Sequence, residues 1–250
     1  MITHEIIGDD MQAVVVSMAA GDEIRAEAGA MTYMTDGIEM DARMTGGILG
    51  GLTRKFLAGE SLFLTYFKCA AAAGRVAFSA PYPGKIIRFP LQSSAMICQR
   101  GSFLCATGEI NITVEFTKRI GAGFFGGEGF ILERFEGSGE VFAHSGGTII
   151  PFDLQAGEKL KVDTGCLVAF DPTVDYDIEF VGGIKTAVFG GEGLFFAALT
   201  GPGRVWVQAL PFSRLADRIL AAQHGGKEET RRGDLGGALG AIGDLIGGDR

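Results

Sequence analysis

Three glutamates stand at the same place in three short glycine-bearing modules of a 250-residue chain. The modules read Leu57-Ala58-Gly59-Glu60-Ser61-Leu62, Phe125-Gly126-Gly127-Glu128-Gly129-Phe130 and Phe189-Gly190-Gly191-Glu192-Gly193-Leu194. Carboxylate oxygens are hard ligands, so three of them gathered at one point would hold a cation such as calcium. The plainer chemistry is local: each carboxylate accepts N–H bonds from its own glycine-rich turn. The local role is the expectation for Glu60, Glu128 and Glu192. Whether they converge on one site depends on how the modules are arranged in space.

Other reactive groups are weighed the same way. Gly121-Ala122-Gly123-Phe124-Phe125-Gly126 has the spacing of a dinucleotide-binding turn. That turn must open a helix whose N-terminus receives the pyrophosphate. Here Phe130-Ile131-Leu132-Glu133-Arg134-Phe135 follows and reads as a strand, so the glycines are expected to be structural. His144 is the mid-chain histidine, and a catalytic base needs an orienting partner and a nucleophile in reach. Spacing supplies neither. Cys98 and Cys105 flank a turn near Gly101-Ser102, where a tight hairpin would set them opposite each other for a disulfide or a shared metal. Their counterparts elsewhere in the chain are Ala26 and Tyr33, then Val162 and Ala169, so small buried hydrophobes are expected. Trp206 stands where other copies carry Ala77 and Phe142, and core packing is expected over a stacking platform. No catalytic residue, cofactor-binding residue or metal ligand is assigned. No cofactor is expected, and the chain is expected not to be an enzyme.

These comparisons rest on an internal repeat. Met18-Ala19-Ala20-Gly21-Asp22-Glu23-Ile24 leads to Gly29, Leu91 leads to Gly101, and Leu154-Gln155-Ala156-Gly157-Glu158-Lys159-Leu160 leads to Gly165. After each glycine comes an alternating stretch: Ile38, Met40, Ala42, Met44; Ile110, Ile112, Val114, Phe116; Val174, Tyr176, Ile178, Phe180. Period-two alternation predicts strands with one face on a core. Gly101 and Gly165 are 64 residues apart, as are Glu128 and Glu192. The first copy is longer by the Gly46–Gly51 loop. Turns are expected at Gly137-Ser138-Gly139 and Gly201-Pro202-Gly203, with strands from Val76, Val141 and Val205. The fold expected is all-β: three tandem β-sandwich units over 1–84, 85–147 and 148–212, packed around a pseudo-threefold axis. A C-terminal helix and Gly-rich tail follow over 213–250. Leu215, Ile219 and Ala222 have helical spacing, with Ser213 as N-cap and Gly225 as stop. Leu235, Leu239, Ile242 and Ile246 lie in a tail read as flexible and available to dock on a partner or a membrane surface.

Composition narrows the function classes. Glycine is 40 of 250 residues and charged residues are 21%. This hydrophobic content excludes a disordered chain, and glycine at this density opposes a helical bundle. A net charge of −8 makes nucleic acid a poor partner. The acidic start, with Glu5, Asp9 and Asp10, is unlike a secretory signal, and the four cysteines form no CxxC pair, so a cytoplasmic setting is expected. Small units bury little core alone, so they are expected to pack on one another. The high hydrophobic fraction of 47% points to further surface buried between chains, so a homo-oligomer is expected, a trimer being favoured.

The ordered Leu-x-Ala-Gly-(Glu/Asp) and Phe-Gly-Gly-Glu-Gly modules resemble the altered-inheritance-of-mitochondria family and its bacterial homologues over about Met1 to Leu220. The resemblance implies three units similar to the tryptophan RNA-binding attenuation protein, each a shortened jelly-roll-like β-sandwich of a kind that builds ring-like assemblies. It implies no established activity and carries no catalytic residue over. It links mitochondrial members to inner-membrane organisation. The function expected is a non-enzymatic self-assembling scaffold or interaction protein with an unknown protein partner. The alternatives are a small-molecule or cation-binding module using clefts between units, and a membrane-surface organiser acting through the tail.

Overall fold

A computed structural model describes residues 2–45, 62–118, 130–180 and 195–222. Glu60, Glu128, Glu192, the Gly121–Gly126 run, the Gly46–Gly51 loop and the tail lie outside the described residues. The chain divides into two compact units, Met1–Pro211 and Phe212–Arg250.

The first unit is all-β. Its strands are β1 (Thr3–Ile7), β2 (Ala13–Ala19), β3 (Glu23–Glu27), β4 (Met31–Met34), β5 (Ile38–Thr45), β6 (Leu62–Cys69), β7 (Ala73–Ser79) and β8 (Gly84–Gln99). Then follow β9 (Phe103–Lys118), β10 (Phe130–Gly146), β11 (Ile149–Leu154), β12 (Lys159–Asp163), β13 (Leu167–Phe170), β14 (Asp175–Phe180), β15 (Phe195–Thr200) and β16 (Gly203–Gln208). They form a sheet β1-β2-β7-β4, a nine-stranded sheet β11-β16-β13-β8-β10-β9-β3-β6-β5, and a sheet β12-β15-β14.

The three alternating stretches are strands, and their periodicity positions the cores. On β9, Ile110 and Ile112 are buried while Asn111 and Thr113 face solvent. Beside β14, Val174 and Ile178 are buried while Asp175 and Asp177 are exposed. On β5 the expectation of a fully buried face fails. Ile38 packs with Phe67 and Cys69, but Met40 is 55% exposed because β5 is the edge strand of the nine-stranded sheet.

The turn expected at Gly137-Ser138-Gly139 is also corrected: β10 runs straight through it, paired on one side with β8 and on the other with β9. The glycines are there because strands press together at this point. A Cβ on Gly137 or on Gly139 would lie 2.0 Å from the carbonyl oxygen of Glu109 or of Thr107. Opposite them, Ser93 has φ +51° and is skipped in the pairing of β8 with β10. Such a bulge reverses which residues face inward. Phe89 and Leu91 before it, and Met96 and Cys98 after it, therefore face one core. The Gly201-Pro202-Gly203 turn does separate β15 from β16.

Three side-chain clusters result. One holds Val14, Val16, Ile24, Phe67, Val76 and Phe78; a second holds Phe89, Leu91, Phe103, Ile110, Phe135 and Trp206; the third holds Phe130, Leu132, Leu167, Phe170, Leu199 and Val205. The long strands β8 and β10 contribute to all of them: on β10, Phe142 joins the first cluster, Phe135 and Val141 the second, Phe130 and Leu132 the third.

The second unit is described only as a helix, α1, over 212–222. It begins directly after Pro211, so Ser213 lies inside its first turn and is not the N-cap. Proline pre-sets a helix-compatible φ, which starts the turn earlier than the serine signal suggests. Phe212, Ile219 and Leu220 are 54%, 56% and 52% exposed.

Candidate functional site

His144, on β10, is 2% exposed. The Tyr82 ring meets it edge-on with centroids 4.6 Å apart, and Gly84 is so close that a Cβ there would lie 2.4 Å from Nε2. Burial pushes its pKa down to about 4, opposed by a hydrogen bond to the Tyr82 backbone. The ring is therefore neutral at pH 7. Its Nδ1 and the Ser145 hydroxyl are buried without hydrogen-bond partners. They do not form a nucleophile–base pair, because adjacent residues of a strand point to opposite faces. The counterpart of His144 in the third copy, Gln208, is structural: Oε1 accepts from Gly146 N and Nε2 donates to Gly165 O, each at 2.8 Å.

The cysteines are buried and free. Cys98 and Cys105 do not face each other, because β10 lies between β8 and β9. Cys98 pairs with Glu133 and Ala169, and Cys105 with Phe142 and Ala26. Burial pushes both thiols up, well above the ordinary range. Neither is a thiolate nucleophile at neutral pH. Trp206 is 9% exposed and packs edge-on against Phe89 at 4.9 Å, with the Arg204 guanidinium 5.2 Å from its ring centroid.

Two features escaped the sequence reading. Glu133 is wholly buried, with neither carboxylate oxygen hydrogen-bonded and Arg100 Nε at 3.8 Å. Burial pushes its pKa up to about 8, helped by the charge of Glu27 and opposed by Arg100. The signal was present: Ile131, Glu133 and Phe135 share one strand face, and the acid interrupts an apolar stripe. The second feature is an open cleft of about 570 Å³ lined from β3, β5, β6, β9 and β10. Leu64, Ile110 and Ile112 line it together with Arg25, Arg43, Tyr66, Glu23, Glu109 and Glu136. Arg25 donates to the Ile110 carbonyl, and the Arg43 guanidinium stacks 4.3 Å from the Tyr66 ring centroid. This cleft joins residues distant in sequence, which no local motif announces.

Strand edges are the third kind of surface. Among the described residues, β4 pairs on one side with β7 and β12 on one side with β15, and β1, β5, β11 and β14 are likewise sheet edges. On β4, Tyr33 and Met34 are 43% and 39% exposed. Among the described residues, no group of three or more His, Cys, Asp or Glu is placed to hold a metal ion, and no helix is long and apolar enough to cross a membrane.

An all-β body of antiparallel sheets, with buried reactive groups and open strand edges, is thus the class that fold and surface define. A family model described as mitochondrial biogenesis AIM24 matches residues 4–210, and the chain belongs to that family. It is similar to the uncharacterized protein M6_Spy0233 of Streptococcus pyogenes serotype M6, at 27% identity over 214 residues, 82% of this chain and 84% of that protein. The crystal structure of protein SPYM3_0169 from Streptococcus pyogenes matches with a TM-score of 0.71 and 23% identity, covering 89% of this chain and all of that one. That likeness shows a shared fold.

Proposed function

We propose that the chain is a non-enzymatic scaffold or interaction protein that assembles with copies of itself, built of three tandem β-sandwich units. The observation that carries this reading is that β4 and β12 are sheet-edge strands among the described residues, with Tyr33 and Met34 exposed on β4. Edges of this kind recruit further strands unless blocked. The sequestered chemistry supports the non-enzymatic part: His144 is neutral and walled in, and the Cys98 and Cys105 thiols are buried. Static light scattering on the full chain tests the reading. A particle heavier than the 26.3 kDa chain, with three copies the favoured number, supports it. A 26.3 kDa particle across the micromolar range refutes it.

A second reading is favoured by the cleft lined from β3, β5, β6, β9 and β10. Its lining of Leu64, Ile110 and Ile112 beside Arg25, Arg43 and Tyr66 suits a small ligand with an apolar body and a planar end. A dose-dependent rise in Tm with such compounds, abolished in Arg43→Ala, supports it.

A further inference from the structure

The pairing register inside the chain repeats, and it leaves one partner missing at each end. Counting from Gly29, Gly101 and Gly165, the residues three before are Ala26, Cys98 and Val162, and the residues four after are Tyr33, Cys105 and Ala169. Strands β4, β9 and β13 meet their partners β7, β10 and β16 in one way: each pairing skips the residue three after its glycine, Thr32, Leu104 or Val168. Strands β3, β8 and β12 agree as well, with Ala26 opposite Thr65, Cys98 opposite Glu133 and Val162 opposite Ala197.

Two joints link these copies. At the first, β3 pairs with β9, placing Ala26 opposite Cys105 and Arg25 opposite Ala106. At the second, β8 pairs with β13, placing Cys98 opposite Ala169 and Ile97 opposite Phe170. In repeat terms the two registers are the same. The same joint made once more would set β12 against β4, with Val162 opposite Tyr33 and Lys161 opposite Met34. Among the described residues that pairing is not made, and both strands are sheet edges. The uncovered side chains mark the gap. Cys105, Ala106, Ala169 and Phe170 are at most 2% exposed in the completed joints, whereas Tyr33 and Met34 are 43% and 39% exposed.

We propose that β12 of one copy pairs antiparallel with β4 of a second copy, in the register Val162↔Tyr33 and Lys161↔Met34. The two edges belong to different surfaces of the chain, so the contact is head-to-tail, and it continues the internal sheet order from copy to copy. This rests on the self-assembly reading above and specifies its contact. Backbone hydrogen bonds supply the pairing, while Tyr33 and Met34 become covered as their counterparts are.

Mixed cross-linking tests it. The full-length single variants Met34→Cys and Lys161→Cys are each placed at an exposed position, and the natural cysteines are buried. Each is mixed with the other under mild oxidation, and the wild type is sized in parallel. A covalent dimer in the mixture, at least tenfold above either variant alone, supports the pairing. Three outcomes overturn it. Wild-type oligomers without mixed cross-links leave self-assembly standing but remove this contact. A monomeric wild type without cross-links removes both. A double variant that links only within one chain shows that the ends close on themselves.

Discussion

The Glu133 carboxyl lies 3.8 Å from Arg100 Nε, fully enclosed, with neither oxygen hydrogen-bonded. Burial raises its pKa to about 8, against roughly 4.3 for an unperturbed glutamate. The folded state then holds a proton that the unfolded state has already released. The contribution of Glu133 to stability falls as pH rises between these values and is flat outside them. Glu133→Gln fixes the neutral form. Calorimetry should show its Tm above wild type by at least about 3 °C at pH 8.5, with a gap under about 1 °C at pH 4. Equal gaps at both pH values would show that Glu133 does not carry the proton.

Burial and separation of the thiols set a second expectation. Native protein should react with a thiol reagent at a small fraction of the rate of a free cysteine, since Cys69, Cys98, Cys105 and Cys166 are all buried. In denaturant without reductant, all four should react. A lower count would reveal a disulfide and contradict the strand order that keeps Cys98 and Cys105 apart.

Glycines of two kinds can be told apart by alanine substitution. At Gly137 and Gly139 the added Cβ would press 2.0 Å from a backbone oxygen, whereas at Gly21 and Gly29 only the left-handed φ of +87° opposes it. Gly137→Ala and Gly139→Ala should each lose about 3 kcal/mol or more, and Gly21→Ala and Gly29→Ala about 1 kcal/mol. Urea unfolding measures both. Equal losses would show that β8, β9 and β10 are not pressed together at this point.

Strand content was legible because Ile110–Val114 and Val174–Ile178 alternate with period two, and a half-buried strand has no other pattern. Gly101 and Gly165 also marked turns correctly, since both sit in short 3-10 turns, the second with Asp163 Oδ1 accepting from Gly165 N at 2.8 Å. Gly137-Ser138-Gly139 misled because close strand approach and a turn both demand glycine. The shift at Ser93 was hidden because a bulge reverses the inward face without any special residue type. Met40 fits its alternating pattern yet lies exposed, because alternation reports which residues share a face and not what covers it. The cleft and Glu133 depended on contacts between distant strands, which spacing along the chain does not encode.

Self-assembly through strand edges is tested by sedimentation velocity of the chain over a dilution series. The expected boundary corresponds to two or more copies of the 26.3 kDa chain and persists at micromolar concentration. A single boundary at 26.3 kDa throughout the series would contradict it.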